Sequence, residues 1–199
     1  MAEDGENANY RFALARCYQG QVRIGQPGSG DSPCAEAVAL LERLIEEDDD
    51  PRYRFELAET LTLACALEDY QGDRLAQVSK AREVAQRLVQ QYPTEAVYQS
   101  LLSNCYAQAA KLLSQKGSLA EAAQQYGEAT QLKTSLVSRY PSVVVPYKLE
   151  LYFLAWEHEN FLAKNGALER AAEIAPMVAE LQVELQDWRE RRRRSRGRP

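Results

Sequence analysis

The sequence predicts an all-α protein, an α-solenoid of about four antiparallel helix pairs. Three observations lead there. A short phrase returns along the chain at intervals of 43 to 49 residues. Within each interval the apolar residues recur at helical spacing. Glycine and proline, only ten and eight among 199 residues, fall mostly at the junctions.

The phrase is Tyr10-Arg11-Phe12-Ala13-Leu14-Ala15, which returns as Tyr53-Arg54-Phe55-Glu56-Leu57-Ala58. Weaker copies begin at Tyr98 and Tyr147. A second phrase, Leu88-Val89-Gln90-Gln91-Tyr92-Pro93, matches Leu136-Val137-Ser138-Arg139-Tyr140-Pro141 after 48 residues. Two separate phrases at similar periods mark a chain of repeated units. Leu, Ala, Glu, Gln and Arg dominate the composition, and all form helices readily.

The first pair is expected at 8–24 and 33–48, joined by a flexible loop over Gly25 to Pro33 that holds Gly28 and Gly30. It ends on Glu46-Glu47-Asp48-Asp49-Asp50, whose acids oppose the dipole of a helix C-terminus and favour fraying. The second pair, 52–69 and 73–91, starts after Pro51 and turns at Gly72. Proline starts a helix well but cannot continue one. The third pair, 94–115 and 118–139, follows Pro93 and turns at Gly117. Its first helix carries Leu101, Leu102, Cys105, Tyr106, Ala109, Leu112 and Leu113 on one stripe; its second carries Ala122, Ala123, Tyr126, Ala129, Leu132, Leu136 and Val137. The fourth pair, 143–164 and 167–187, follows Pro141 and turns at Gly166. It opens on the main β-branched cluster, Val143-Val144-Val145. Pro176 inside the last helix is expected to kink or split it.

The expected organisation is a disordered N-terminus (1–8), a repeat domain (9–188) with units at 9–50, 51–92, 93–140 and 141–188, and an Arg-rich tail (189–199). The tail holds seven arginines and one acid, whereas the other 188 residues hold 17 bases and 28 acids. An acidic body argues against a broad nucleic-acid surface. No apolar run is long enough to span a bilayer. The acidic start is unlike a signal peptide, so the expected compartment is the cytoplasm, for a free chain or a segment of a larger protein.

With these units in view, the chain resembles the tetratricopeptide-repeat family. Ala122-x3-Tyr126-x2-Ala129 fits the family's second helix, and Gly117 stands at the expected turn. The fourth unit keeps Gly166 and Ala171, with Ala175 in place of the aromatic; the second keeps Gly72 and Ala81. The family's usual unit is about 34 residues, shorter than these. Its typical tryptophan and glycine are replaced by Tyr106 and Ala110 in the third unit. The longer units look like the extended arrays of bacterial signalling proteins, including segments attached to Ser/Thr kinases.

The resemblance implies a right-handed superhelix, a concave groove lined by the first helix of each pair, and a scaffold that binds a peptide or a partner helix. Carried over residue by residue, the groove positions are Asn104, Gln108, Lys111 and Gln115 in the third unit. In the fourth they are Phe153, Glu157, Asn160 and Lys164, and Arg16 and Glu59 are the equivalents of Asn104 in the first two. The spacing of the third set puts it on one helix face. A polar face of this kind is either an ordinary solvated side or a row of hydrogen-bonding groups for an extended peptide. The expected partner is a protein or peptide, with weak self-association as a further option.

No catalytic, cofactor or metal site is expected. His158 is the single histidine, and its i+3 and i+4 neighbours, Phe161 and Leu162, are apolar. A structural histidine is the plainer reading. Gly25-Gln26-Pro27-Gly28-Ser29-Gly30 lacks the Lys-Ser/Thr that a phosphate loop needs. Cys17, Cys34, Cys65 and Cys105 form no CxxC pair and read as buried structural thiols, with a Cys17–Cys34 bridge open to an extracytoplasmic chain. Arg191, Arg192, Arg193 and Arg194 centre the basic tail, which serves as a solubilising end, docks on an acidic surface, or touches nucleic acid or anionic lipid. The aromatics that base stacking needs are not interleaved there.

Overall fold

The computed structural model describes residues 7–24, 32–67, 72–140 and 144–196. The described residues form eight helices: α1 (Ala8–Ile24), α2 (Ser32–Glu47), α3 (Pro51–Ala64), α4 (Arg74–Gln91), α5 (Ala96–Gln115), α6 (Leu119–Arg139), α7 (Val144–Lys164) and α8 (Leu168–Arg196). Each helix packs on its neighbours in sequence, and α3 also packs on α1 and α5. α1, α3 and α5 therefore form one row that the even-numbered helices flank, which is an α-solenoid. The expected disordered start and the loop before Pro33 lie almost wholly outside the described residues.

Local chemistry sets the ends of the helices. Asp50 caps α3 by accepting the Arg52 amide at 2.7 Å, and Pro51 fills the first helical position. Asp73 caps α4 by accepting the amides of Leu75 and Ala76 at 3.1 and 3.2 Å. Gly117 and Gly166 have φ of 82° and 78°, and each lets the chain leave a helix in the left-handed conformation. After Gly117 the Ser118 amide reaches back to the Leu113 carbonyl at 3.0 Å; after Gly166 the Ala167 amide reaches the Leu162 carbonyl at 3.0 Å. A Cβ at Gly117 meets nothing within 4 Å, so the cost of a side chain there is purely conformational. Gly117→Ala is expected to lower stability by about 1 kcal/mol, read as a fall in the urea midpoint at constant m value.

Two helix boundaries differ from expectation. α3 stops at Ala64 rather than continuing to residue 69. The Cys65 carbonyl is taken by the Arg74 guanidinium at 3.0 Å and by the Gln108 amide at 2.9 Å. Those bonds satisfy a helix-end acceptor and turn the chain towards α4. Pro176 does not split α8, which runs unbroken to Arg196. Pro176 and Ala172 are both exposed, so the carbonyl that the proline leaves unpaired faces water.

The apolar core runs across the unit boundaries. Leu44, Tyr53, Leu61, Leu88 and Leu101 belong to one buried cluster, and Ala122, Tyr126, Leu154 and Leu162 to a second. A single helix pair leaves such a face open, and stacking closes it. No disulfide joins the four cysteines. Cys34, Cys65 and Cys105 are buried as expected, but Cys17 is exposed. None of the described helices covers its side of α1.

Candidate partner-binding cleft

The odd-numbered helices leave a cleft where α5, α6 and α7 meet. Its volume is about 430 Å³, and Lys111, Tyr126, Trp156, Asn160, Phe161 and Lys164 are among its lining residues. Lys111 Nζ pairs with Glu157 Oε1 at 2.9 Å and ties α5 to α7 across one wall. Trp156, Asn160 and Lys164 follow at four-residue spacing along α7, so they share one helix face. Asn160 Nδ2 donates to the Trp156 carbonyl at 2.8 Å. Trp156 is 48% exposed, an unusual state for so large an apolar ring, and Phe153 beside it is 52% exposed.

Behind the cleft, buried polar groups fix α6 against α7. Lys133 is 1% exposed. Its Nζ donates to Glu150 Oε2 at 2.6 Å, Ser100 Oγ at 2.8 Å and Asn104 Oδ1 at 3.3 Å. Ser100 Oγ also donates to Glu150 Oε2 at 3.2 Å. Burial pushes the Lys133 ammonium below the usual lysine range, while Glu150 opposes that shift. His158 stacks on Tyr126 at 5.5 Å with 15° between the rings, and its Nδ1 lies 3.2 Å from Thr130 Oγ1. Its Nε2 is buried without a partner among the described residues. Burial, with Arg170 nearby, lowers the His158 pKa to about 4. The ring is therefore neutral near pH 7 and acts as a flat spacer between helices.

The residues expected in the groove separate into two groups. Lys111, Glu157, Asn160 and Lys164 come together in the cleft. Asn104 is exposed and accepts from Lys133, Gln108 is engaged with the Cys65 carbonyl, and Gln115 is exposed outside the cleft lining. Gln108 and Lys111 thus each join neighbouring units. Sequence reasoning passed over Trp156, although it stands one turn before Asn160 on the same stripe. It also passed over Lys133, whose surroundings of Thr130, Thr134 and Gln131 give no sign of burial.

At the far end of α8, Arg191, Arg192, Arg193 and Arg194 are all exposed. Arg194 pairs with Glu190 at 3.5 Å, and the Arg192 guanidinium lies 5.1 Å from the Trp188 ring centre. No helix among the described residues is long and apolar enough to cross a membrane.

No family model matches the chain, and no curated protein is similar to it. Among solved structures it is similar to one described as "MamA RS-1 ArsTM double mutant", at 15% identity, covering 89% of this chain and 97% of that chain. The TM-score of that match is 0.30, and the fold assignment stands on the helix packing described above.

Proposed function

We propose that the chain is a tetratricopeptide-like scaffold that binds a protein partner through an extended segment or a helix laid into the α5–α7 cleft. The observation that carries this reading is the half-exposed Trp156 standing beside Asn160 and Lys164 on one open helix face. An aromatic ring flanked by hydrogen-bonding and cationic groups supplies both apolar area and orientation, and such residues dominate binding energy at interfaces. Helices already held by the Lys133 and His158 contacts lose little freedom when a partner arrives. The setting is bacterial signalling or regulation in the cytoplasm, by resemblance to long-unit arrays.

Short random peptides displayed on phage and panned against the full chain should yield binders. Their affinity, followed by fluorescence anisotropy, should fall about tenfold or more in Asn160→Ala plus Lys164→Ala, a loss of about 1.4 kcal/mol. Binders whose affinity is unchanged in that variant would exclude the cleft as the docking site.

A second reading rests on the exposed arginines of α8. Association with nucleic acid or an acidic partner through them would weaken steeply with salt and disappear on deletion of residues 189–199. Absence of salt-sensitive retention on heparin and on duplex DNA by the full chain rules it out.

A further inference from the structure

Two acids occupy the same register position in different units and have different company. Glu56 of α3 lies three residues after Tyr53, and Glu150 of α7 lies three residues after Tyr147. Glu150 Oε2 accepts from the Lys133 ammonium at 2.6 Å and from Ser100 Oγ at 3.2 Å. Lys133 comes from α6, the helix before α7. The helix before α3 is α2, and there the counterpart of Lys133 is Leu41, buried and apolar. The alignment is fixed by Glu47 and Gln91, which take the guanidinium groups of Arg11 and Arg54 at matching helix ends. It is carried on to Arg139 by the repeated phrase that ends α4 and α6. Asn104, a further acceptor around Lys133, has Arg16 of α1 as its counterpart, and Arg16 Nε lies 3.4 Å from Glu56 Oε1. Glu56 Oε2 is buried with no hydrogen-bond partner among the described residues.

A buried carboxylate oxygen without a partner is costly. Its neighbours do not relieve it. Glu59, one turn along the same face of α3, has both oxygens engaged, by Arg23 at 2.6 Å and by Gln19 Nε2 at 3.0 Å. Burial, reinforced by the Glu59 charge, pushes the Glu56 carboxyl above the usual glutamate range in spite of Arg16, Gln19 and Arg23. The Glu56 side chain keeps 14% of its surface exposed, so a group arriving from solvent has a way to it. α3 packs on both α1 and α5, so the deficit lies within the stack and not at an end of the chain.

We propose that Glu56 is the anchor of a binding site between α1 and α3 for a primary alkylammonium group, the group of a lysine side chain. The chain itself places that group on Glu150, at the same register position. Arg16 already holds Oε1, which leaves a single acceptor. A guanidinium fork matches two oxygens, whereas a compact ammonium needs one. Glu56, Arg16, Gln19 and Glu59 are outside the cleft lining, and the proposal does not depend on the cleft reading.

The full chain should be titrated near neutral pH with Nα-acetyl-lysine methylamide while the Gln19 and Glu59 signals are followed by NMR. Saturable shifts are expected there. Glu56→Gln keeps the shape and removes the charge, and it should weaken binding about tenfold or more with unchanged circular dichroism. Arg16→Ala removes the cation that shares Glu56 and should tighten binding about threefold. A purely structural acid would give no such gain. The Nε-acetylated form of the probe carries no charge and should not bind. 1,5-Diaminopentane separates the two sources of the group. Binding as tight as that of the lysine probe assigns the site to free amines, and weaker binding assigns it to a lysine of a protein partner. Equal shifts with the acetylated probe, an affinity unchanged in Glu56→Gln, or weaker binding in Arg16→Ala overturns the proposal. Peptides selected for the cleft should bind Glu56→Gln as they bind the unmodified chain, so the two readings fail separately.

Discussion

Glu150→Ala is expected to destabilise the chain by about 3 kcal/mol near neutral pH, measured by urea unfolding. The Lys133 ammonium would remain almost fully buried with only the neutral oxygens of Ser100 and Asn104 as acceptors. An uncompensated buried charge costs far more than a lost surface ion pair. Two further results follow from the same cause. Adding Lys133→Met removes the ammonium while keeping much of its volume, so the double variant should recover most of the loss. The single variant should also regain stability as pH rises. Burial already holds the folded-state pKa of Lys133 below its ordinary value of 10.5, and losing Glu150 lowers it further. Between that lowered pKa and 10.5 the unfolded chain binds more protons, so stability increases with pH. A flat pH response in the single variant would show that the ammonium is hydrated and that the network is not what joins α5, α6 and α7.

The second large effect is acid lability centred on His158. Its folded pKa is about 4, against an ordinary 6.5. Below 6.5 the unfolded chain takes up a proton that the folded chain refuses, so stability falls as pH drops from 6.5 to about 4. The full difference is about 3 kcal/mol, because each pKa unit is worth about 1.4 kcal/mol. Glu47 and Asp50 are held low by hydrogen bonds from Arg11 and Arg52. Their contribution is present above their ordinary values of 4.5 and 3.8 and is lost beneath them, in a more acidic window. His158→Phe keeps a ring against Tyr126 and cannot take the proton. It should flatten the profile between pH 6.5 and 4, and a slope that persists in this variant would assign the lability to other groups.

Much of the fold is legible in the sequence because the repeat is local and each unit carries its own punctuation. Tyr10, Tyr53, Tyr98 and Tyr147 mark the same position of successive odd helices, and Gly117 and Gly166 mark turns that need a positive φ. The places where expectation and structure part are those decided by neighbours distant in sequence. The end of α3 depends on Gln108, which lies 43 residues beyond Cys65. Lys133 reads as a surface lysine until Glu150 and Ser100 close over it from two other helices. Cys17 has the pattern of a core residue, yet the packing of the described helices leaves it exposed. The cleft was half visible. Glu157, Asn160 and Lys164 follow from the groove positions that the family resemblance implies, but Trp156 is not among those positions and stands out only because the packing leaves it half exposed.

The most direct test of a protein-binding cleft is to map where a selected peptide lands. The full chain should be titrated with that peptide while its backbone amides are followed by NMR. The account predicts shifts concentrated at Lys111, Trp156, Asn160 and Lys164 and their neighbours on α5 and α7, with α1 and the arginines of α8 unmoved. Shifts confined to Arg191–Arg194, or to the outer faces of α2 and α4, would contradict it.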